Sequence, residues 1–432
     1  MRVLGIETSC DESAVCVIDA HGDFGDDFRF AVLGNALISQ TEIHAQYGGV
    51  FPNLAKREHA KNLVPLLEQT LEQAELPRQG KTLPWVLLER ALDEARPHQD
   101  KHSDISLYSD KIRDILTREP GLYEKLSVFL QKYTRPEIDA IAVTVGPGLE
   151  PALWVGINFA RALSAVWQIP LVAVNHMEGH VLVSLMRYEK EYRVSSVAYG
   201  GEMHKFEFPL LALLISGGHT ELVLSKEWQK YEIVGATRDD AVGEAFDKVA
   251  RLLGLSYPGG PEISRLAEDA RRQKLEADFK LPRPMIHDDN FHFSFAGLKT
   301  AVRRLVESKG PTFLRSDLKG VPRSDLDAFK MQVAREFEDA VADVLVAKTI
   351  RAVDEYGAET VIVGGGVSAN SYIRFRLAEA LIKAGSTRLL APPPELATDN
   401  ALMIALAGYF SAQNRDFVNP DMLKASGNLK LA

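Results

Sequence analysis

The chain has 432 residues, of which 46% are hydrophobic and 25% are charged, and its formal net charge is −9. At about 150 residues per domain, this length predicts two or three domains, and the apolar fraction excludes an intrinsically disordered chain. An acidic chain has no general basic face for nucleic acid, so such a partner would need a local basic patch. Two cysteines cannot build a disulfide framework, which predicts a reducing, cytoplasmic compartment. No apolar run approaches the roughly 18 residues of a membrane span, so no membrane partner is expected.

The first predicted elements are two apolar strands, residues 2–6 and 14–18, joined by a short polar turn. This pattern predicts a hairpin. A similar unit recurs at residues 210–224, around the turn Ser-Gly-Gly-His-Thr of residues 216–220. Two such units, far apart in the chain, predict two related halves rather than a short-period repeat.

Later segments predict alternating strands and helices. Residues 138–145 and 169–174 are apolar runs that end in glycine or polar residues, as buried parallel strands do. Residues 336–356 have helical apolar spacing, and residues 361–363 form a strand-sized run before a glycine turn. The predicted fold class is therefore α/β.

Two segments differ from this pattern. Residues 76–136 are charge-rich with helical apolar pairs, which predicts a helical insertion. Residues 414–432 have little periodicity and are expected to be partly disordered.

The strongest chemical signal is the pair His176 and His180. Histidines at i and i+4 lie on one helical face and can share a metal ion. Zinc proteases place a glutamate directly after the first histidine, whereas Glu178 lies two residues on, about 200° around the helix, which disfavours a metallopeptidase. Asp399, at a predicted helix start, is the best candidate for an oxygen ligand. Two surface histidines and a capping aspartate are the alternative interpretations.

Four glycine-rich turns predict phosphate binding, because backbone N–H groups without β-carbons let an anion approach closely. They are residues 146–148, 216–220, 259–260 and 364–366. The chain has neither a P-loop nor a Rossmann glycine motif after the first strand, so those two nucleotide folds are disfavoured. Residues 239–248 carry four acids, which either bind ribose or metal or form a solvated helix face.

Nine motifs stand together in an order typical of one family. They are residues 5–12, 44–59, 176–180, 216–220, 239–248, 257–261, 294–300, 364–370 and 398–400. On these motifs the chain resembles the tRNA N6-adenosine threonylcarbamoyltransferase family, long called O-sialoglycoprotein endopeptidases. The resemblance covers nearly the whole chain except residues 76–136 and the extreme C-terminus.

The resemblance implies an actin-like fold, as in sugar kinases and heat-shock ATPases, with two duplicated RNase H-like lobes. The expected division is an N-terminal lobe over residues 1–205, including the insertion, and a C-terminal lobe over residues 206–400. Residues 401–432 would form a helix returning to the N-terminal lobe, followed by a tail.

The implied reaction is an acyl transfer that modifies tRNA. The threonylcarbamoyl group of threonylcarbamoyl-AMP is moved to N6 of the adenosine immediately downstream of the anticodon, in tRNAs that read codons beginning with A, and AMP is released. An ATP-dependent kinase or ATPase of the actin-like superfamily is the alternative. A non-enzymatic scaffold is a further reading, but such a paralogue would be expected to lack the histidines and Asp399.

Site residues follow from the resemblance, position by position. His176, His180 and Asp399 match ligands for one divalent metal ion per subunit, for which Fe²⁺ and Zn²⁺ both fit. Asp11 is the candidate general base, and Glu12 is the second choice. The positions that match adenylate-binding residues are Leu214, Ile215, Ser216, Gly217, Gly218, Asp247, Gly260 and Asn370.

The resemblance also implies partners. Besides tRNA and threonylcarbamoyl-AMP, they are an inactive paralogous subunit and a P-loop ATPase subunit. Asn53 and Lys56 depart from the glutamate and serine typical of the family, so the tRNA contacts and partner surfaces are expected to differ more than the chemistry. Two basic clusters are candidate RNA contacts: Lys56, Arg57 and Lys61, and Lys299, Arg303 and Arg304.

Overall fold

A computed structural model of the chain describes residues 1–25, 27–76, 110–189, 199–309, 323–385 and 388–431. Within these ranges no helix is long and apolar enough to cross a membrane. The strands are β1 Arg2–Glu7, β2 Glu12–His21, β3 Arg29–Ser39, β4 Ala140–Gly146, β5 Leu171–Asn175, β6 Met186–Tyr188, β7 Gly200–Met203, β8 Leu210–Ile215, β9 Thr220–Glu227, β10 Lys230–Ala236, β11 Thr360–Gly364 and β12 Arg388–Leu390. The helices are α1 Thr41–Ala45, α2 Pro52–Gln73, α3 Pro120–Lys132, α4 Glu150–Trp167, α5 His176–Ser184, α6 Val242–Leu252, α7 Gly259–Arg272, α8 Ala296–Ser308, α9 Arg323–Tyr356, α10 Ser371–Ala384, α11 Pro394–Ala397 and α12 Ala401–Gln413.

The chain forms two compact units. Unit 1 comprises residues 1–40, 51–205 and 399–430, and unit 2 comprises residues 41–50 and 206–398. Unit 1 holds a seven-stranded sheet of order β5-β4-β1-β2-β3-β7-β6, and unit 2 holds a five-stranded sheet of order β10-β9-β8-β11-β12.

Both sheets repeat one topology. In each, three consecutive strands pair antiparallel, and two later strands add in parallel beside the first of them. The later strands are reached through helices, as parallel pairing requires. The duplicated α/β arrangement predicted from the sequence is confirmed, and the fold is of the actin-like class.

Helix α12 is the element of unit 1 that fixes the site. Nearly all of its residues are buried, which is typical of a helix that is apolar on every side. It packs on β1, β2 and β4. Two glycines allow α12 to approach the sheet closely. A β-carbon at Gly408 would lie 2.2 Å from the β-carbon of Ala142, and a β-carbon at Gly5 would lie 2.5 Å from the carbonyl oxygen of Ala401.

Helix α5 begins directly after β5 and packs on α12. The Asn175 side chain accepts a hydrogen bond of 2.9 Å from the Met177 N–H, so the strand ends in a side-chain cap and the helix starts at the next residue. A β-carbon at Gly179 would lie 3.1 to 3.3 Å from side-chain atoms of Met403 and Ile404. The first turns of α5 are therefore held against the first turn of α12.

The two atypical segments have different outcomes. Residues 77–109 of the predicted insertion lie outside the described residues, whereas residues 110–115 and α3 are helical. The expected disorder of the tail is wrong for residues 414–431. There, the Ser426 N–H donates to the Val145 carbonyl at 2.8 Å, and the Gly148 N–H donates to the Gly427 carbonyl at 3.1 Å. The tail lacks periodicity because backbone hydrogen bonds, rather than an amphipathic face, hold it.

The contact between α12 and β4 can be tested by substituting Gly408 with Ala. We expect Gly408→Ala to lower the stability of unit 1 by about 1–3 kcal/mol, because helix and strand must separate to admit the methyl group. Thermal denaturation followed by circular dichroism measures this. Gly297→Ala in α8 is the matched control, since its β-carbon would meet nothing closer than 3.9 Å. Equal melting temperatures for the two variants would contradict the packing.

Candidate functional site

The structure brings the three predicted metal ligands together in unit 1. His176 and His180 lie on the first two turns of α5, and Asp399 lies just before α12. Asp399 Oδ1 is 3.3 Å from His176 Nε2 and 3.2 Å from His180 Nε2. Both imidazoles are buried, while the Asp399 side chain keeps 19% of its surface exposed. One side of the trio is therefore accessible.

This geometry fits a single divalent ion. Two ligands bound to one metal at 2.0 to 2.2 Å lie about 3.0–3.5 Å from each other, a range that includes both measured distances. Each of the three residues offers one ligand atom, and these three atoms lie within 4.8 Å of one another. Two imidazoles and one carboxylate form a donor set with coordination positions left for a substrate.

Glu7, at the end of β1, contacts His176 at Nδ1, the ring nitrogen that does not contact Asp399. Its Oε2 accepts hydrogen bonds from His176 Nδ1 at 3.2 Å and from Thr144 Oγ1 at 2.6 Å, and its Oε1 accepts from the Ser9 N–H. The carboxylate has no exposed surface. A proton held on Nδ1 leaves the Nε2 lone pair for a metal. Sequence reasoning missed this role of Glu7, although the sequence shows an acid at the end of an apolar strand.

The charges of the trio are strongly coupled. Burial lowers the pKa of His176, but Asp399 and Glu7 raise it by more, so the pKa lies well above its usual value. Burial lowers the pKa of His180, and the net shift is downward. Burial raises the pKa of Asp399, but His176 and His180 lower it well below its usual range. Metal binding must displace the His176 proton, so affinity should rise with pH.

Of the predicted catalytic acids, Asp11 lies in the turn between β1 and β2 and Glu12 begins β2, both next to the trio. Ser9 Oγ in this turn is 3.5 Å from Asp399 Oδ2. Burial raises the pKa of Glu12, and the nearby charges of Asp11 and Asp399 raise it further. Glu12 hydrogen-bonds to Asp11 and accepts a hydrogen bond of 3.2 Å from Ser39 Oγ. Glu12 is therefore a weaker acid than an exposed glutamate, beside Asp11 and in the field of Asp399.

His59, a residue of α2, hydrogen-bonds to the backbone of this turn. It is fully buried, its Nε2–H donates to the Cys10 carbonyl at 3.0 Å, and its Nδ1 accepts from the Ser13 hydroxyl at 2.8 Å. The Gln40 N–H donates to the Asp11 carbonyl at 2.9 Å. His59 was not predicted as a site residue, although it stands within one of the nine motifs. Its contact with the turn depends on how α2 packs.

The glycine turn after β8 is built around one hydroxyl group. Ser216 Oγ accepts hydrogen bonds from the N–H groups of Gly218 at 3.3 Å and His219 at 3.1 Å. A β-carbon on Gly217 or Gly218 would meet no atom within 4 Å, so the turn is open. Residues 214–215 have no exposed surface in β8, so they support the turn rather than line it.

Helix α6 begins against this turn. The Gly243 N–H donates to the Ser216 carbonyl at 3.2 Å, and a β-carbon on Gly243 would lie 2.9 Å from Gly217 Cα. Glycine at position 243 therefore lets the helix N-terminus approach the turn. That end of a helix carries partial positive charge and attracts anions.

Asp247, on α6, contacts the start of α7, where Gly260 lies. Asp247 Oδ1 accepts a hydrogen bond of 2.7 Å from the Gly259 N–H. A β-carbon on Gly259 would lie 2.5 Å from the β-carbon of Ala250, whereas one on Gly260 would meet nothing within 4 Å. Gly259 is needed for packing, and Gly260 faces open space.

Asn370 has its amide engaged within the protein. Its Nδ2 donates to Ser264 Oγ at 2.8 Å and to Glu338 Oε1 at 2.7 Å, and its Oδ1 accepts from the Ile373 N–H at 2.9 Å. The side chain thus caps α10 and ties it to α7 and α9. It lies near the helix that Gly260 begins, because Ser264 is one turn after Gly260 on the same face.

These features define an actin-like α/β protein with a site for one metal ion and glycine-rich turns typical of nucleotide sites. Residues 31–80 and 129–406 match the profile of the tRNA N6-adenosine threonylcarbamoyltransferase family. Relatives of that name are 38% identical in Persephonella marina and 40% identical in Ralstonia pickettii. The alignments cover 95% and 96% of this chain, and 90% and 92% of the relatives. The chain belongs to this family, as its motifs predicted.

Solved structures give weaker matches. A ROK hexokinase from Thermus thermophilus is 13% identical with a TM-score of 0.38, covering 96% of this chain and all of the hexokinase. Full-length HypF, in its phosphate- and nucleotide-bound form, is 13% identical with a TM-score of 0.43, covering 71% of this chain and 42% of HypF. The fold assignment therefore rests on the strand orders of the two sheets.

The role of Glu7 can be tested by Glu7→Gln, which keeps the size of the side chain and removes its charge. We expect metal affinity to fall about 10–100-fold, the usual effect of losing a carboxylate behind a metal-binding histidine. Competition with a chromogenic chelator measures the affinity. Glu137→Gln, at a side chain that is 80% exposed, is the control. An unchanged affinity in Glu7→Gln would contradict the proposed orientation of His176.

Proposed function

We propose that the protein transfers the threonylcarbamoyl group of threonylcarbamoyl-AMP to N6 of the adenosine immediately downstream of the anticodon, in tRNAs that read codons beginning with A. AMP is the other product. One observation carries this proposal: in a chain of this family, His176, His180 and Asp399 converge with ligand-to-ligand distances of 3.2 and 3.3 Å. A family member that had lost the activity would be expected to have lost this trio.

The trio would hold Fe²⁺ or Zn²⁺, which supplies a positive charge for the threonyl carboxylate or hydroxyl and for the carbamoyl oxygen. Glu7 keeps the His176 proton on Nδ1 and so fixes the direction of the Nε2 lone pair. The accessible side of Asp399 leaves room for the donor. AMP is a good leaving group, so most of the remaining work is positioning, which contributes up to about 7–11 kcal/mol.

The adenosine amine loses a proton as it attacks the carbonyl, so a base must stand close by. We assign this role to Asp11, with Glu12 as its hydrogen-bonded partner. Burial and the nearby charges of Asp11 and Asp399 raise the pKa of Glu12, so Glu12 holds its proton more readily than an exposed glutamate does. His59 and Gln40 fix the backbone of this turn and hence the direction of both carboxyl groups.

The adenylate is assigned to the residues of unit 2. We assign the phosphate to the turn at residues 216–218 and the N-terminus of α6, because the start of a helix carries partial positive charge, although the Gly218 and Gly243 N–H groups donate within the protein. Asp247 and Gly260 are placed against the ribose, where Gly260 leaves open space. Residues 214–215, which have no exposed surface, would act by positioning the turn that follows them. Asn370 would act on the adenine pocket indirectly, by fixing α10 against α7.

The further partners are proposed on the family resemblance. They are an inactive paralogous subunit that forms a dimer with this chain, and a P-loop ATPase that resets the cycle. We place the reaction in the cytoplasm, where a protein with two free cysteines stays reduced and tRNA is available.

Transfer activity is tested by incubating the protein with threonylcarbamoyl-AMP and an unmodified tRNA transcript, with and without the partner subunits, and analysing the digested nucleosides by mass spectrometry. We expect His176→Ala to lose bound metal and most of the modified nucleoside while staying folded, with its melting temperature compared with that of the metal-free unsubstituted protein. His287→Ala, at an exposed histidine of unit 2, is the matched control. Full activity in a metal-free His176→Ala protein would reject the role of the metal.

The acid pair is tested by comparing Asp11→Asn with Glu12→Gln. If Asp11 is the base, Asp11→Asn should slow transfer about 10²–10⁴-fold with adenylate binding kept, because only proton removal is affected. Glu12→Gln keeps a hydrogen-bond donor for Asp11 and should be slowed less. Single-turnover rates and adenylate binding measure the two steps. Loss of adenylate binding in Asp11→Asn would assign Asp11 to recognition instead.

A further inference from the structure

A second site, which the mechanism does not use, lies between α2 and the start of α3 in unit 1. It is an open cleft of about 290 Å³. Five cationic side chains and one acidic side chain line it, although the whole chain carries a net charge of −9. The lining residues that carry charge are Lys56, Arg57, Lys61, Arg118, Lys125 and Glu119.

Three of the cations are already engaged. Lys56 Nζ lies 3.0 Å from Glu119 Oε1, Lys61 Nζ lies 2.9 Å from Glu58 Oε2, and Lys125 Nζ donates to the Lys61 carbonyl at 2.8 Å. The contacts of Lys56 and Lys125 connect α2 with the segment of α3, whereas that of Lys61 lies within α2.

Arg57 and Arg118 differ from the three lysines. Both are exposed, one on each wall, and neither makes an ion pair with any residue in the described part of the chain. Two guanidinium groups without a carboxylate partner face the same small space. An arginine fork matches the geometry of a phosphate group, so an anion would bind between them.

The floor of the cleft is rigid. Glu119 keeps only 2% of its side chain exposed and also accepts a hydrogen bond of 3.4 Å from Asn158 on α4. Its carbonyl accepts from the N–H groups of Leu122 and Tyr123, which starts α3. The Gly121 N–H lies in this first turn, where a helix has no acceptor of its own and attracts anions.

One wall of the cleft is not a general feature of the family. The family profile matches residues 31–80 and 129–406, so Arg118 and the first turns of α3 lie outside the matched region. The other wall carries Lys56, one of the two sequence departures noted above. The cleft is therefore built by the insertion together with α2.

We propose that this cleft binds a backbone phosphate of the tRNA, with Arg57 and Arg118 as the direct contacts. The inference rests on the proposed function, which supplies tRNA as the substrate. The volume is at the lower limit of the 300–1,000 Å³ typical of pockets for organic ligands, which suits a phosphate group better than a whole nucleotide. Contacts of this kind supply sequence-independent affinity that weakens as salt concentration rises.

The test is the double variant Arg57→Ala/Arg118→Ala in the full-length protein. Binding of an unmodified, fluorescently labelled tRNA transcript is measured by anisotropy over a series of KCl concentrations. We expect affinity to fall about tenfold and the slope of log affinity against log salt to become shallower by about 1–2, because up to two phosphate contacts are lost. Lys132→Ala/Arg135→Ala removes the same charge from unit 1 outside the cleft and should change both quantities much less.

Unchanged affinity and slope in the cleft variant, or an equal loss in the control, would overturn the proposal. A melting temperature equal to that of the unsubstituted protein shows that folding is not the cause. If inorganic phosphate raises the melting temperature only when the arginines are present, while tRNA affinity is the same in both proteins, the cleft is a small-anion site and the tRNA assignment is wrong. Nucleoside analysis of the same tRNA tests the proposed function separately. A protein that binds tRNA through the cleft but never modifies it would contradict the proposed function and leave the cleft assignment intact.

Discussion

The chemistry of this protein depends on how one carboxylate reaches two imidazoles that lie more than 200 residues earlier in the chain. Asp399 is carried to them by α12, which lies on β1 and β4 with almost no side-chain layer between Gly408 and Ala142. The same helix packs on α5, which bears both histidines. A small separation of α12 from the sheet would therefore remove the oxygen ligand while leaving the histidine pair in place. Because the ligands assemble only in the folded unit, bound metal also stabilises that unit.

Short sequence patterns were sufficient to predict the parts of the site that lie within one helix or one hairpin. The spacing of His176 and His180 is a property of one helix, and the strand before them was visible as an apolar run. Asp399 was found because a carboxylate at a helix start is conspicuous after a proline-rich segment. The two hairpins were predicted by strand-length apolar runs around short polar turns, and their recurrence indicated the duplication that the two strand orders confirm.

Residues whose role depends on packing were not predictable in this way. Glu7 and His59 stand in recognised motifs, but only the tertiary structure shows that one supports a ligand and the other holds the acidic turn. Asn370 was predicted as an adenylate-binding position, and the structure shows in addition that its amide connects three helices. Periodicity indicated helices in the insertion, but the position of Arg118 opposite Arg57 depends on the side of α2 against which α3 packs.

Residues of unit 1 that meet at the site lie far apart in the chain, and this separation affects how the protein is made. Ser9 and Asp399 are 390 positions apart, and the loop at residues 145–148 pairs with residues 426–427. At 5 to 20 residues per second, the ribosome needs about 20–80 s to synthesise the intervening chain. From the completion of β4 at Gly146 to the start of α12 at Ala401, about 13–51 s of that time, the face of β1 and β4 that α12 will cover has no partner. The nascent chain therefore exposes a broad apolar surface during translation, and this makes it a natural client for chaperones that act at the ribosome.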